Sequence, residues 1–268
     1  MKNFDQSPAS AKLSVCAPFQ DRETAAPILR LASELALDYA SIHCPIQDVP
    51  GTYLEITAHS TKEVSFVMGD VGIADLLPVL CLQHCMRRAI ALGRTEPQRL
   101  IYDLNAMLYD CCATQGCFTC FYAQYCRQTG VLRYINAGHE SPLLIRRHPE
   151  EVLRLEKGGP VLGLKAGPHY RQSAIPLRRG DRLVAFTEGV LESLAQQTVA
   201  SAEATLIEFI RNSTNQSAVE LANLIMAKTE AIHTEVLLDR SVMTICVDAI
   251  RPAGYPSIRE QTAVLARA

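Results

Sequence analysis

The chain has 268 residues, with 26 lysines and arginines against 28 aspartates and glutamates, 48% hydrophobic residues, ten cysteines and no tryptophan. A net charge of −2, with acids and bases interspersed, excludes the electrostatic footprint of a nucleic-acid binder or a polybasic membrane-surface protein. At this length one large domain buries roughly three-quarters of its unfolded surface, so a full hydrophobic core is within reach.

Residues 1–20 read as a flexible N-terminal lead-in without the apolar stretch of a secretory signal. No run approaches the ~18 apolar residues of a spanning helix, and the expected location is the cytoplasm. A domain over residues 21–250 follows, then a flexible tail at 251–268. Within the domain, Arg22 to Leu37 has helix-forming composition with one apolar face, and strand-like runs lie at 37–44, 52–59 and 63–70. Leu76 to Leu92 is apolar nearly all round, which predicts a helix buried against a sheet. Pro97 suits the first turn of a second helix running to about Cys112. Strand patterns resume at 117–127, 130–136, 142–147, 151–155, 169–176 and 181–187. A helical pair at about 200–212 and 216–232 precedes a last strand at 242–248. This order is not an alternation of βαβ units. It predicts an α+β fold: an αββα sandwich of two mostly antiparallel sheets flanked by helix pairs.

The cysteines are read as reduced thiols packed in a core. Cys117 and Cys120 have the spacing of a zinc or redox pair, but CFTCFYAQYC has the pattern of a strand, where residues three apart point to opposite faces. Cys81 and Cys85 read as small core residues of a helix, and a disulfide framework belongs to shorter secreted chains. The arginine pairs 87–88, 146–147 and 178–179 read as solvated ends of elements rather than as phosphate contacts.

Four acids stand where a strand pattern begins or ends: Asp38, Asp70, Glu188 and Asp239. A carboxylate next to a core costs several kcal/mol unless it is paired or bound to a cation. Several together suggest a hard-metal site, because Mg²⁺ and Mn²⁺ take oxygen ligands.

Around these acids lie Phe118-Thr119 to Ala123, TGVLRYINAGHESPLLIRR at 129–147, GGPVLGL at 158–164 and RRGDRLVAFTEGVLES at 178–193. In this order and spacing they resemble the SpoIIE-like branch of the PPM metal-dependent serine/threonine phosphatases, over about residues 28–249. The resemblance implies two stacked antiparallel sheets flanked by helices, with two Mn²⁺ or Mg²⁺ ions in a cleft at one end. It also implies hydrolysis of a phosphoserine by metal-activated water, on a small phosphorylated signalling protein of the anti-sigma-factor-antagonist type. A homodimer is left open, and neither nucleic acid nor membrane is an expected partner.

Carried over residue by residue, Asp70 matches the bridging aspartate of the family's glycine-aspartate-valine motif, with the Val71 carbonyl as a further ligand. Asp38 matches the aspartate of an upstream glycine-glycine-aspartate motif, where it would hold metal-bound waters, so Asp38 and Asp70 are the catalytic candidates. The two glycines of that motif are Ala36 and Leu37 here, and its second acid is Ser41. After Asp70 the usual serine-glycine-x-glycine is Gly72-Ile73-Ala74-Asp75. Glu188 stands where the family mostly has aspartate. Two registers remain for the last motif: one puts Leu238 at the ligand position and Asp239 beside it, while the other makes Asp239 the ligand and misplaces Ser241. The resemblance gives His139, in Asn136-Ala137-Gly138-His139, a turn-fixing role. Two functions follow: a working phosphatase with metal at Asp70, Glu188 and Asp239, or a weak or inactive phosphatase-like domain that binds a regulatory partner.

Overall fold

The structure, a computed structural model, describes residues 37–45, 51–60, 62–71, 76–93, 95–112, 118–147, 150–195, 199–213, 216–231 and 238–247. The expected lead-in, first helix and C-terminal tail lie outside the described residues, as do Gly72 to Asp75.

Eleven strands and five helices alternate in blocks among those residues. Three strands come first, β1 (Leu37–Cys44), β2 (Thr52–Ala58) and β3 (Glu63–Val71), then α1 (Leu76–Ala91) and α2 (Pro97–Cys112). Seven short strands follow: β4 (Phe118–Cys126), β5 (Val131–Ala137), β6 (Leu143–Arg147), β7 (Glu150–Arg154), β8 (Gly158–Gly159), β9 (Ser173–Pro176) and β10 (Arg182–Phe186). The chain closes with α3 (Glu188–Leu194), α4 (Val199–Asn212), α5 (Ala218–Glu230) and β11 (Arg240–Val247).

The strands form two sheets, one in the order β1-β11-β10-β6-β7 and the other β2-β3-β4-β5-β8, with β9 on β5. All pairings are antiparallel except β5 with β8. Period-two alternation sorts the side chains into layers. Phe66, Met68, Phe121 and Tyr134 of one sheet meet Leu183, Ala185, Met243 and Ile245 of the other in a core between the sheets. The opposite parity packs outward: Val67, Tyr122 and Ile135 against Leu82, Met86, Leu100 and Leu104 of α1 and α2. Val184, Val242 and Cys246 pack against Leu191, Leu206, Leu221 and Ile225 of α3 to α5. The fold is therefore the layered α+β sandwich, with three helices on one side rather than a pair. The short α3 directly follows a strand and was not anticipated, because seven residues are too few for a clear helical period.

Two helix starts show how local sequence anchors the layers. Glu96 Oε2 accepts from the Arg99 amide at 3.0 Å ahead of α2. At α5, Ser217 and Glu220 form a reciprocal capping box. Cys44, Cys81, Cys85, Cys120, Cys126 and Cys246 form no disulfide, and burial pushes the Cys120 thiol up to about 12, which removes it as a nucleophile.

Candidate metal-binding site

Strand parity carries Asp70 to the mouth of the groove between the sheets. It continues the Phe66–Met68 alternation at the last turn of β3, where the core ends. The β2–β3 ladder sets Thr52 opposite Asp70, and the β3–β4 ladder sets Thr119 opposite it on the other side. Directly opposed residues of antiparallel strands project to the same face, so Thr52, Asp70 and Thr119 form a row with one charged member at its centre.

From the other sheet, the residues just before β11 reach the same place. The Gly51 amide donates to Asp239 Oδ2 at 2.6 Å, and the Val71 amide donates to the Gly51 carbonyl at 2.9 Å. The space left by the missing side chain of Gly51 is ringed by oxygens: a Cβ there would lie 3.3 Å from the Val71 carbonyl, 3.5 Å from Asp239 Oδ2 and 3.7 Å from Asp70 Oδ1. Burial first, then the Asp239 charge, push the Asp70 carboxyl up to about 7, against the lowering effect of the Val71 amide; the Glu188 charge adds to the rise.

Three braces hold these groups. Thr187 Oγ1 donates to the Asp239 carbonyl at 2.7 Å and accepts from the Ser241 amide at 2.9 Å. Its hydroxyl is thereby used by the Asp239 loop, and Thr187 makes no side-chain cap bond to α3. Gly189, in the first turn of α3, lies so close to Asp239 and Leu238 that a Cβ would meet the Leu238 carbonyl at 2.7 Å. Behind Asp70, Thr119 Oγ1 donates to the Asp70 carbonyl at 3.4 Å and bonds His139 Nδ1 at 2.9 Å. With the hydroxyl hydrogen directed at Asp70, the imidazole proton sits on Nδ1 and Nε2 is left a buried acceptor with no partner among the described residues. The His139 amide donates to Asn136 Oδ1 at 2.8 Å, closing the turn in which Gly138 takes φ +70°. Burial holds His139 down to about 4, so it is neutral.

The structure brings together Asp70, the Val71 carbonyl and Asp239. Glu188 stands at the exposed rim, close enough for its charge to act on Asp70. Asp38 is not at this site. It pairs with Cys246, seven residues along β11 from Asp239 and on the order of 23 Å away. Its parity also turns it outward, where Oδ2 accepts from the Ala218 amide at the start of α5 at 2.7 Å. The residues that the β2–β3 ladder does set beside Asp70 are Gly51 and Thr52, a glycine followed by a neutral residue. At the last motif Leu238 is 40% exposed, whereas the Asp239 carboxylate reaches Gly51.

Thr119, Gly51 and Thr52 were not singled out, and neither was His43, whose Nδ1 lies 2.7 Å from Ser241 Oγ. Burial lowers the His43 pKa against the raising effect of the Asp239 charge. Nothing local in the sequence marks these residues; only sheet register assembles them. Arg146 belongs to the far end, where it bonds the Pro176 carbonyl at 2.8 Å and lies 3.6 Å from Asp181.

The donor set consists of hard oxygens around a cradle, which fits a divalent cation such as Mg²⁺ or Mn²⁺. A cluster of three or more histidine, cysteine or acidic side chains able to hold a metal is absent among the described residues.

The sheet pair, its helix layers and the oxygen-lined mouth define a PP2C-type phosphatase fold. The chain belongs to the SpoIIE family: the family model for Stage II sporulation protein E matches residues 60–247. The chain is 26% identical over 165 residues to phosphoserine phosphatase RsbU of Bacillus subtilis, covering 61% of this chain and 49% of that protein, so it spans about half the length of this relative. In fold it is similar to the PP2C phosphatase domain with a regulatory fragment of SpoIIE from Bacillus subtilis, at a TM-score of 0.69 and 13% identity, covering 79% of this chain and 63% of that one. It is also similar to the catalytic domain of the serine/threonine phosphatase PstP in complex with two manganese ions, at a TM-score of 0.55 and 12% identity, covering 80% and 99%.

Proposed function

We propose that the chain is a divalent-metal-dependent phosphoprotein phosphatase that hydrolyses phosphoserine on a regulatory protein of the anti-sigma-factor-antagonist type. The observation that carries this reading is the convergence of Asp70, Asp239 and the Val71 carbonyl on the space beside Gly51. Family membership and a relative that is a phosphoserine phosphatase support the reaction class. The presence of Mn²⁺ in the PstP domain supports the choice of cation.

Asp70, Asp239 and the Val71 carbonyl would hold the cation, which when bound supplies a Lewis acid for the phosphoryl oxygens and a water ionised near neutral pH. The protein's part is to keep these donors in place. The Thr119 hydroxyl and His139 brace the backbone of Asp70, and Thr187 braces that of Asp239. Repulsion between Asp70 and Asp239 raises the free energy of the cation-free site, which favours the loaded state. Glu188, at the rim, is proposed as the acid that faces the cation from α3.

Partner binding without turnover is a second reading, favoured by two neutral residues: Thr52 opposite Asp70, and Leu238 before Asp239. Mn²⁺-dependent release of phosphate from a phosphoserine peptide separates the two. Turnover lost on Asp70→Ala supports the enzyme; peptide binding with no turnover in Mn²⁺ or Mg²⁺ supports the binder. No helix among the described residues is long and apolar enough to cross a membrane, and action in the cytoplasm is part of the proposal.

A further inference from the structure

Thr52 is 4% exposed, and its hydroxyl oxygen has no hydrogen-bond partner among the described residues. It faces Asp70 across the β2–β3 ladder on the same side of the sheet. A buried hydroxyl is normally satisfied, so this one marks a place where a group outside the described protein, a water or an ion, supplies the contact. The neighbouring oxygens of Asp70, Asp239 and Val71 point to a cation.

Charge bears on how many. Two divalent ions bring four positive charges. The described acids at the mouth are Asp70 and Asp239, with Glu188 at the rim. Thr52 and Thr119, which flank Asp70 in the row, are neutral, and burial keeps His43 and His139 neutral. Leu238 offers no side-chain donor. Among the described residues one ion is balanced by Asp70 and Asp239; a second would sit beside a hydroxyl, with only the single rim charge of Glu188 against its two.

Resting on the metal-dependent reading above, we infer that this site takes a single divalent cation and that Thr52 fixes that number, its hydroxyl serving as a neutral oxygen donor where a second ion would need a carboxylate. A Thr52→Asp change places that carboxylate directly across from Asp70.

The test is Mn²⁺ stoichiometry on the full chain, by native mass spectrometry and by electron paramagnetic resonance, which separates an isolated ion from an exchange-coupled pair. Wild type is expected to bind one ion with an isolated-ion spectrum, and Asp70→Ala none. Thr52→Asp is expected to bind two ions with a coupled spectrum. Thr52→Val, which keeps shape and removes the hydroxyl, is expected to bind one ion about tenfold more weakly. Two ions in wild type would overturn the inference and leave the metal-dependent reading standing. Unchanged affinity in Thr52→Val would overturn the role of the hydroxyl. No Mn²⁺ bound by wild type would overturn both. Circular dichroism of each variant verifies the fold, and the Val variant decides if the Asp variant does not fold.

Discussion

The Gly51 amide donates to Asp239 Oδ2 at 2.6 Å, joining positions 188 apart in the chain and tying the two sheets at the mouth of their groove. Gly51 has no need of a left-handed backbone, since it is not among the positive-φ glycines. It is needed because its missing side chain leaves the cradle open. In Gly51→Ala the methyl would lie 3.3 Å from the Val71 carbonyl and 3.5 Å from Asp239 Oδ2. The expected outcome is at least about a tenfold loss of Mn²⁺ affinity, with stability changed by no more than about 1 kcal/mol. Metal titration beside a urea melt tests both halves.

Gly189 serves the same carboxylate from the backbone side. A Cβ there would run into the carbonyls of Leu238 and Asp239, which cannot rotate away as a side-chain tip can. Gly189→Ala is expected to cost roughly 2–3 kcal/mol and to weaken metal binding as well, because the Asp239 loop must shift. A variant with wild-type stability and affinity would show that this close approach is dispensable.

Asp38 separates the observed arrangement from the one the motif alone implied. Its carboxylate accepts from the start of α5, on the outer face and at the far end of the sheet. Asp38→Ala is expected to lose about 1 kcal/mol of stability, as for a removed helix cap, with Mn²⁺ affinity unchanged. A loss of metal binding in this variant at intact fold would return Asp38 to the site.

The layers were legible because alternation and helical periodicity record which face of each element is buried. Asp70 and Asp239 were legible because an acid beside four or five apolar residues is costly. What was not legible depended on register. Thr52 and Thr119 become neighbours of Asp70 only once β2 and β4 pair with β3, and neither residue type announces a site. Searching for an acid upstream led to Asp38, since the position that faces Asp70 carries no charge. The helix α3 escaped notice because its seven residues follow a strand with no break but Thr187.

Burial holds the pKa of His139 down to about 4 and holds those of His43 and His59 below their ordinary value. Between about 4 and 6.5 the unfolded chain binds a proton at residue 139 that the folded chain does not, so this contribution raises stability with pH. It is complete above the unfolded value of 6.5 and is lost as pH falls toward 4, by roughly 3 kcal/mol at about 1.4 kcal/mol per unit. Asp70 opposes it: with its folded value raised to about 7, the folded chain binds the extra proton and stability falls as pH rises from 3.8. Urea unfolding of wild type and His139→Gln at pH 7.5 and pH 5 isolates the histidine. The wild type is expected to lose more stability than the variant on acidification, and equal losses would refute the assignment.

The most direct measurement is anomalous scattering from crystals of the full chain grown with Mn²⁺. The expected result is one manganese peak at about 2.1–2.2 Å from a carboxylate oxygen of Asp70 and from the Val71 carbonyl, with Asp239 on the same ion. An empty mouth between Asp70 and Asp239, or manganese held at Asp38 instead, would contradict the assignment.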